Sequence, residues 1–213
     1  MKTALITVGS TREYIDPVRY ITNESSGQQG MALIRSLIKN NFKVICLHGY
    51  LQVKPLISKN ISYIFTPDAE SMLKAAKKNK KVDLAIFNAA VADYRVENYQ
   101  KQKIKRNKNL TLKLKNNPDI LKYISNISAG PLITVGFAYE TNDVKANALK
   151  KLKKKNCDFL VLNYPISQNI IFNNKYTNGG IFDKDGRYYS IGNVTKTSFA
   201  NQVLRHILKA KNE

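Results

Sequence analysis

The sequence predicts an α/β protein with a Rossmann-like, mostly parallel sheet and helices on both faces. The main observation is an alternation of short β-branched runs with segments of helical length and periodicity. The predicted strands cover residues 3–8, 43–47, 61–65, 82–87, 132–135 and 159–162. The predicted helices cover residues 29–40, 67–78, 118–126 and 143–156. This alternation is typical of parallel sheets, whose ligands bind outside the carboxyl ends of the strands.

Two of the predicted helices have recognisable start signals. Thr66 is a candidate N-cap and precedes Pro67, a residue that suits the first turn of a helix. The run Asn117-Pro118-Asp119 offers a cap, a first-turn proline and a carboxylate that interacts favourably with the helix dipole. We therefore expect both helices to begin at these prolines.

A small β-hairpin is expected near the C-terminus, at about residues 178–191. The run DKDG at residues 183–186 lies between two apolar runs and predicts its turn. Residues 195–210 have the pattern of a closing helix. A chain of this length can bury one core, so we expect residues 1–213 to form a single domain.

The chain is strongly basic, with 35 Lys and Arg residues against 15 Asp and Glu residues and a formal net charge of +20. Such a charge attracts anionic partners, which include nucleic acids, membrane surfaces and phosphorylated small molecules. Lys and Asn are spread along the whole chain, so a compositional bias explains the charge as well as a selected function does. The charge alone therefore does not identify a partner.

The two cysteines and the apolar runs favour a cytoplasmic protein. Cys46 and Cys157 lie in or beside apolar runs, as expected for buried thiols in a reducing compartment. The apolar run near the N-terminus is too short for a signal peptide, and no run approaches the length of a membrane span. We expect no membrane association.

Two connections are longer than the two to six residues or so that are usual between a strand and a helix. The first covers residues 9–27, and the second covers residues 89–109. Each follows the carboxyl end of a predicted strand, where the ligands of parallel sheets bind. The sequence therefore places the candidate site in these two connections.

The first connection reads GSTREYIDPVRYITNESSG and combines small residues with a following helix start. Small residues let backbone N–H groups approach an anion, and the helix dipole favours it. Neither a Walker A loop nor a GxGxxG fingerprint is present, so a polar loop with a glycine-rich turn stays an alternative. The candidate ligands here are Arg12, Arg19, Asn23, Ser25, Ser26, Gly27 and Gly30.

The second connection includes the run NAAVADYRVENYQKQKIKRN. Its small residues leave room for a flat base or a sugar, and its lysines can reach transferring phosphates. The alternative is a solvated basic loop, which is the more usual role of a charge run. We favour that alternative for Lys101, Lys105 and Arg106 individually.

Five motifs in this order resemble the signature motifs of phosphopantothenoylcysteine synthetase. They are TREYIDPVRYITNESSG, NAAVADY, KIKR, NNPDIL and VGFAYET. The resemblance runs from residue 7 to about residue 163, with a looser tail beyond. The sequence departs from the family pattern at Gly9-Ser10, where two glycines are usual, and at Tyr139, where a small residue is usual. Five motifs in the right order and spacing make the resemblance specific.

The resemblance implies a ligase of coenzyme A biosynthesis that joins 4'-phosphopantothenate to L-cysteine. In the family the carboxylate attacks the α-phosphate of a nucleoside triphosphate, usually CTP, to form an acyl-cytidylate. The amine of cysteine then displaces CMP. Positioning and charge stabilisation suffice for such chemistry without a protein nucleophile. Mg²⁺ is expected on the triphosphate oxygens, with Asp93 as the one candidate protein ligand. CTP and ATP both stay open, because backbone groups can discriminate the base.

The resemblance also implies roles for individual residues. Asn23 is associated with the acyl intermediate and its capture by cysteine, and Lys103 lies in a flexible catalytic loop at about residues 95–109 that closes over the substrate. The implied nucleotide-binding residues are Gly9, Ser10, Phe87, Asn88, Ala89, Asp93, Lys103, Pro118, Asp119, Ile120, Leu121, Phe137 and Lys155. The implied substrate-binding residues are Arg19, Asn23, Ser25, Ser26, Gly27 and Ala90.

The resemblance further implies a homodimer and a decarboxylase partner. Many bacterial members are fused to a flavin-dependent decarboxylase, so the decarboxylase is expected as a separate protein or as part of a longer chain. Two other functional classes are weaker. A nucleic-acid-binding module fits the charge, but no helix-turn-helix, RNP-type or zinc-finger spacing is present. A dinucleotide oxidoreductase would need GxGxxG after Val8 and an acidic ribose ligand, and the sequence has neither.

Overall fold

The computed structural model describes residues 1–106, 109–165 and 175–210 and confirms the predicted α/β fold. The described strands are β1 (Lys2–Val8), β2 (Glu13–Asp16), β3 (Arg19–Ile21), β4 (Phe42–His48), β5 (Ile61–Phe65), β6 (Leu84–Phe87), β7 (Tyr94–Val96), β8 (Leu114–Asn116), β9 (Thr134–Tyr139), β10 (Phe159–Asn163), β11 (Tyr176–Asp183) and β12 (Tyr188–Thr195). The described helices are α1 (Gln28–Lys39), α2 (Ala69–Lys78), α3 (Ile120–Ser125), α4 (Val144–Lys155) and α5 (Lys196–Ala210).

Eight strands form one sheet in the order β12-β11-β10-β9-β6-β1-β4-β5. The strands from β10 to β5 in this order are parallel, and β11 and β12 are added in antiparallel pairing at one edge. Parallel strands need crossover connections, which the alternating helices supply. The predicted mostly parallel sheet is therefore confirmed, with the C-terminal hairpin as its antiparallel part.

Helices cover both faces of this sheet. α1 and α5 pack on one face, and α2, α3 and α4 pack on the other. Leu5 and Ile6 on the central strand β1 are both fully buried, each against a different layer of helices. Because successive side chains of a strand point to opposite faces, a strand covered on both faces needs a continuous apolar run. Full burial of each such side chain contributes about 1.5–3 kcal/mol to folding.

The strand predicted at residues 132–135 lies further along the chain. β9 starts at Thr134, whose backbone N–H and hydroxyl both donate to the Asp158 carboxylate, at 2.7 and 2.8 Å. The strand continues through Gly136, where a Cβ would lie 2.5 Å from a side-chain carbon of Leu121. A larger residue at this position would force the Leu121 side chain to move, and Phe137 follows it inside β9.

The predicted N-caps of two helices are wrong by two residues. Thr66 donates its backbone N–H to the carbonyl of His48, at 2.8 Å, so the chain is still extended there. Asp68 caps α2 instead: its carboxylate accepts from the Ser71 N–H at 2.7 Å, and the Ser71 hydroxyl accepts from the Asp68 N–H at 3.2 Å. This reciprocal pair is a capping box.

The start of α3 shows the same displacement. Asp119 is the N-cap, and its carboxylate accepts from the Lys122 N–H at 3.0 Å. Asn117 cannot cap the helix because its side-chain amide donates to the carbonyl of Ala92, at 2.8 Å. Pro118 therefore lies before the cap and not in the first turn.

We expect Asp68→Ala to lower the free energy of unfolding by about 1 kcal/mol, the usual loss when an N-cap carboxylate is removed. Urea denaturation followed by circular dichroism measures this change. Lys74→Ala, at an exposed position in the same helix, is the matched control and should stay within about 0.5 kcal/mol of the wild type. Equal losses in the two variants would contradict the role of Asp68.

Two short hairpins, one inside the first connection and one that begins in the second and ends after it, escape sequence-based prediction. β2 pairs with β3 in the first connection, and β7 pairs with β8 across the second. The predicted C-terminal hairpin and closing helix are confirmed as β11, β12 and α5, with strands longer than expected. Among the described residues, no helix combines the length and the apolar character of a membrane span.

Candidate active site

The two long connections meet over the carboxyl ends of β1 and β6. We refer to residues 9–27 as the first loop and to residues 88–106 as the second loop. The backbone N–H of Ala90 donates to the carbonyl of Gly9 at 2.8 Å, and the carbonyl of Ala90 accepts from the N–H of Thr11 at 3.4 Å. The loops are therefore joined backbone to backbone, and cavities open on either side of this junction.

A first cavity of about 590 Å³ lies between the loops, on the side of the sheet that carries α1 and α5. It brings together five of the six predicted substrate-binding residues, which are Asn23, Ser25, Ser26, Gly27 and Ala90, together with Asn88. Five polar residues that sequence reasoning missed also line it, namely Gln28, Gln29, Asn163, Thr177 and Lys196. They come from α1, β10, β11 and α5, so no single motif could reveal them.

A second cavity of about 620 Å³ lies beside α3 and α4, on the opposite side of the sheet. It brings together most of the predicted nucleotide-binding residues, which are Phe87, Ala89, Asp93, Pro118, Asp119, Ile120, Leu121, Phe137 and Lys155. The two cavities share Ala89, Val91, Asp93 and Phe137 as lining residues. The residues assigned to two different ligands thus line two adjoining cavities.

Asn23 links the first loop to the second across the first cavity. Its side-chain amide nitrogen donates to the carbonyl of Val91, at 3.1 Å. Val91 lines both cavities, so this bond holds Asn23 beside the place where they meet. An amide in this position can accept a hydrogen bond through its oxygen without acting as a nucleophile.

The first cavity also borders the start of α1. Gly27 is the N-cap with φ of 80°, a left-handed conformation that glycine adopts readily. The hydroxyls of Ser25 and Ser26 accept from the N–H groups of Gly27 and Gln28, each at 3.4 Å. These long bonds leave the serine hydroxyls at the cavity wall as donors.

Arg19 lines neither cavity, because its guanidinium is bound within the loops. It pairs with Asp16 at 3.2 Å and donates to the carbonyl of Ile104 at 3.0 Å. Asp16 is fully buried and accepts from the N–H groups of Val18, Arg19 and Ile104, at 2.9, 2.9 and 3.1 Å. This cluster fastens the second loop to the first immediately beside Lys103. The role of Arg19 as a substrate ligand stays a prediction.

Lys103 is exposed and lines neither cavity. Its neighbour Ile104 is held by the contacts with Asp16 and Arg19. Of the loop predicted at residues 95–109, residues 107–108 lie outside the described residues, and its first residues belong to β7. The closing movement of Lys103 stays a prediction.

Three lysines of α4 line the second cavity. Lys155 pairs with the Asp119 carboxylate, and Lys151 pairs with the Glu140 carboxylate at 2.6 Å. Lys154 lines the cavity as well. Sequence reasoning selected Lys155 alone, although the spacing of four residues between Lys151 and Lys155 places both on one side of a helix. Two of these lysines are already paired with carboxylates, so Lys154 brings the remaining positive charge of this wall, which suits a polyphosphate.

Gly9 and Ser10 lie in the backbone junction between the two loops. Gly9 has φ of 84°, and a Cβ there would lie 2.5 Å from the carbonyl oxygen of Tyr50. Ser10 exchanges two backbone hydrogen bonds with Tyr50, at 3.2 and 2.9 Å. Both residues are buried, and neither lines the two cavities. Their contact with a nucleotide stays a prediction.

The cysteine side chains are unsuited to nucleophilic chemistry. Burial raises the pKa of Cys46 to about 12 and that of Cys157 to about 11. Both thiols are therefore protonated at neutral pH, and the thiolate is the reactive form. Neither cysteine therefore has the features of an activated nucleophile.

Asp93 is the carboxylate that both cavities share, and it is exposed. Within residues 1–106, 109–165 and 175–210, His, Cys, Asp and Glu side chains form no group of three or more that could hold a metal ion. A lone carboxylate fits Mg²⁺ that is held mainly by phosphate oxygens and water.

Comparisons with known proteins agree with these features. A family model described as "DNA/pantothenate metabolism flavoprotein C-terminal domain" matches residues 1–210. The "Coenzyme A biosynthesis bifunctional protein CoaBC" of Vibrio vulnificus is 40% identical over 166 residues, which cover 76% of this chain and 41% of that protein. The protein of the same name from Haemophilus influenzae is 35% identical over 206 residues, which cover 96% of this chain and 50% of that protein. The crystal structure of the C-terminal domain of a CoaBC protein has 30% sequence identity and a TM-score of 0.81, over 100% of this chain and 97% of that one. The chain thus spans at most about half the length of these curated relatives.

Proposed function

The chain belongs to the family of DNA/pantothenate metabolism flavoprotein C-terminal domains, and we propose that it joins 4'-phosphopantothenate to L-cysteine at the expense of a nucleoside triphosphate. CTP is the proposed nucleotide, and ATP is the alternative. The observation that carries this proposal is the pair of adjoining cavities that meet at Ala89, Val91, Asp93 and Phe137. A ligase of this type must bring a carboxylate and an α-phosphate together, and the shared wall is where two ligands would meet.

In the first half-reaction a carboxylate oxygen of phosphopantothenate attacks the α-phosphorus of the nucleotide. The carboxylate oxygen forms a bond to the α-phosphorus. The bond between the α-phosphorus and the oxygen that bridges to the β-phosphate breaks, and pyrophosphate leaves with that oxygen. Lys151, Lys154 and Lys155 line the second cavity and would stabilise the charge that moves onto pyrophosphate. The first cavity holds the acid, so that the attacking oxygen lies near Asn23.

In the second half-reaction the amine of cysteine attacks the acyl carbon. A carbon–nitrogen bond forms, the bond from carbon to the phosphate oxygen breaks, and the nucleoside monophosphate leaves with the electron pair while the amine loses a proton to water. The side-chain oxygen of Asn23 would accept a hydrogen bond from the attacking amine, because its nitrogen already donates to Val91. Such positioning is the chief contribution of a protein to acyl transfer of this kind.

Mg²⁺ belongs to this proposal, and Asp93 is the residue of this chain that would hold it together with triphosphate oxygens. When bound, Mg²⁺ neutralises charge on the triphosphate and orients it. The family also suggests three further properties that we propose for this chain: a homodimer, a cytoplasmic location and a partnership with a decarboxylase.

Incubation of the purified chain with 4'-phosphopantothenate, cysteine, Mg²⁺ and CTP tests the activity. We expect CMP and pyrophosphate to appear in equal amounts together with the amide product. A parallel reaction with ATP decides the nucleotide, since consumption of ATP with CTP left intact would replace CTP in the proposal. If the chain consumes neither nucleotide, the proposed ligase activity is wrong.

A further inference from the structure

Polar side chains are concentrated at one end of the first cavity. Gln28, Gln29, Asn163, Thr177 and Lys196 line this cavity but not the second one. Thr177 is on β11, which lies two strands away from β9 in the sheet, and β9 carries the shared residue Phe137. Two strand spacings correspond to about 10 Å. The part of this polar end at Thr177 is therefore separated from the wall that the two cavities share, and Asn163 on β10 lies between them.

Lys196 is the cation at this end of the cavity. Its ammonium group donates to the side-chain oxygen of Gln28 at 3.1 Å, a neutral partner. The ion pairs formed by the described residues do not include Lys196. Residues 166–174, which lie outside the described residues and follow β10, contain no Asp or Glu. The positive charge thus has no carboxylate to balance it in this part of the chain.

The acidic residues of the first cavity do not change this conclusion. Glu24 and Asp93 line it, and both are exposed at its loop side. Burial lowers the pKa of the Lys196 ammonium, which shows that water stabilises the charge less here than at the surface. An anionic ligand would restore the lost stabilisation.

Two other residues that line this cavity have unpaired amide atoms. Both side-chain amide atoms of Gln29 and the side-chain oxygen of Asn163 are buried and have no hydrogen-bond partner among the described residues. A buried polar atom without a partner costs about 1–3 kcal/mol and is rare in native proteins, so each one needs an explanation such as a bound ligand, ion or water. Gln29 offers donors through its nitrogen, and Lys196 offers further donors through its ammonium group, whereas the oxygens of Gln29 and Asn163 are acceptors and would not contact an oxyanion. This end of the cavity is thus equipped for an oxyanion.

We propose that Lys196 binds the phosphate group of 4'-phosphopantothenate and makes the enzyme prefer the phosphorylated acid to pantothenate. This inference rests on the proposed function. The reacting carboxylate must lie at the wall shared with the nucleotide cavity, and the phosphate is at the other end of the extended acid. The phosphate therefore reaches the polar end of the first cavity, where Lys196 donates to it alongside Gln29.

The test compares kcat/KM for 4'-phosphopantothenate with kcat/KM for pantothenate in the wild type and in Lys196→Met. We expect the variant to lose about 10- to 100-fold in kcat/KM for the phosphorylated acid, the range typical of a hydrogen bond to a charged group. Turnover of pantothenate should stay the same, so the preference falls by the same factor. Both substrates are measured on one preparation, so a partly folded variant leaves the ratio unaffected. Lys196→Arg should keep most of the preference.

Lys175→Met is the matched control, because it removes the same charge from an exposed position near β11 that does not line the cavity. It should keep the wild-type preference. An unchanged preference in Lys196→Met would overturn the role of Lys196 and leave the ligase activity standing. A wild type that turns over neither acid would overturn the ligase proposal and this inference with it.

Discussion

We expect Asn23→Asp to complete the first half-reaction and to stall before the amide forms. The side-chain nitrogen of Asn23 donates to the carbonyl of Val91 at 3.1 Å, and a carboxylate cannot make this bond. A carboxylate at this position would also stabilise the ammonium form of cysteine, which is not nucleophilic. Activation of the phosphopantothenate carboxylate needs neither the donor nor a free amine.

The expected loss in the rate of amide formation is about 100- to 1,000-fold, the range found when a positioned donor in an active site is removed. A single-turnover experiment with rapid quenching separates the two steps. Pyrophosphate should appear in one burst, and the acyl-nucleotidyl intermediate should accumulate in place of the amide product.

Asn41→Asp is the control for this change, because it alters the same residue type at an exposed turn between α1 and β4. Asn41 has φ of 58°, a conformation that aspartate tolerates. The control should turn over like the wild type. Normal amide formation by Asn23→Asp would remove Asn23 from the capture of the intermediate, and equal loss of both half-reactions would assign it to binding of the acid.

The order of elements and the meeting of the two long loops over the strand ends were predictable from sequence. Central strands such as β1 are covered on both faces, and this burial leaves an apolar run that is easily recognised. Loop length then identified the first and second loops, which do meet over the strand ends. The family that the motifs indicated is confirmed by the matched family model and the relatives.

Features that depend on contacts between distant residues were not predictable. The N-caps at Asp68 and Asp119 displaced the predicted ones because backbone and side-chain bonds to other segments hold the preceding residues in extended chain. Lys196 lies on the last helix, and its partner Gln28 is in the first one. Asp16 was part of a quoted motif, but its partner Ile104 is 88 residues away. Sequence spacing contains no information about such pairs.

We expect Asp16→Asn to release the second loop from the first and to lower kcat/KM by as much as about 100-fold, the effect of displacing a catalytic group by about 1 Å. The carboxylate of Asp16 accepts from three backbone N–H groups and pairs with Arg19. Burial opposes its ionisation, but the bonds from Val18 and Ile104 and the charge of Arg19 outweigh burial and lower the pKa of Asp16 below its ordinary value. An asparagine carries no charge and must turn one N–H donor toward these donors.

The pH dependence of the Asp16 variant follows from the sign of this shift. A carboxylate whose pKa is lower in the folded state stabilises that state fully above its ordinary pKa, and the contribution is lost as the pH falls through the lowered value. The difference in stability between wild type and Asp16→Asn should therefore be constant near neutrality and should shrink below about pH 4. Thermal unfolding across this pH range measures it, and a gap that persists undiminished in acid would contradict the ionic role of Asp16.

Hydrogen exchange separates a loss of loop attachment from a general loss of stability. The backbone N–H of Ile104 donates to Asp16 at 3.1 Å, so it should exchange faster in Asp16→Asn, while amides of the central strand β1 should keep their protection. Asp185→Asn, in the exposed turn between β11 and β12, removes the same charge far from the loops and should change neither Ile104 exchange nor kcat/KM. Slow exchange at Ile104 together with full activity in Asp16→Asn would show that Asp16 does not hold the second loop in place. Lys103 lies next to Ile104, and the family resemblance assigns it to the triphosphate. Faster exchange at Ile104 together with reduced activity would establish that the buried Asp16 carboxylate in the first loop positions Lys103.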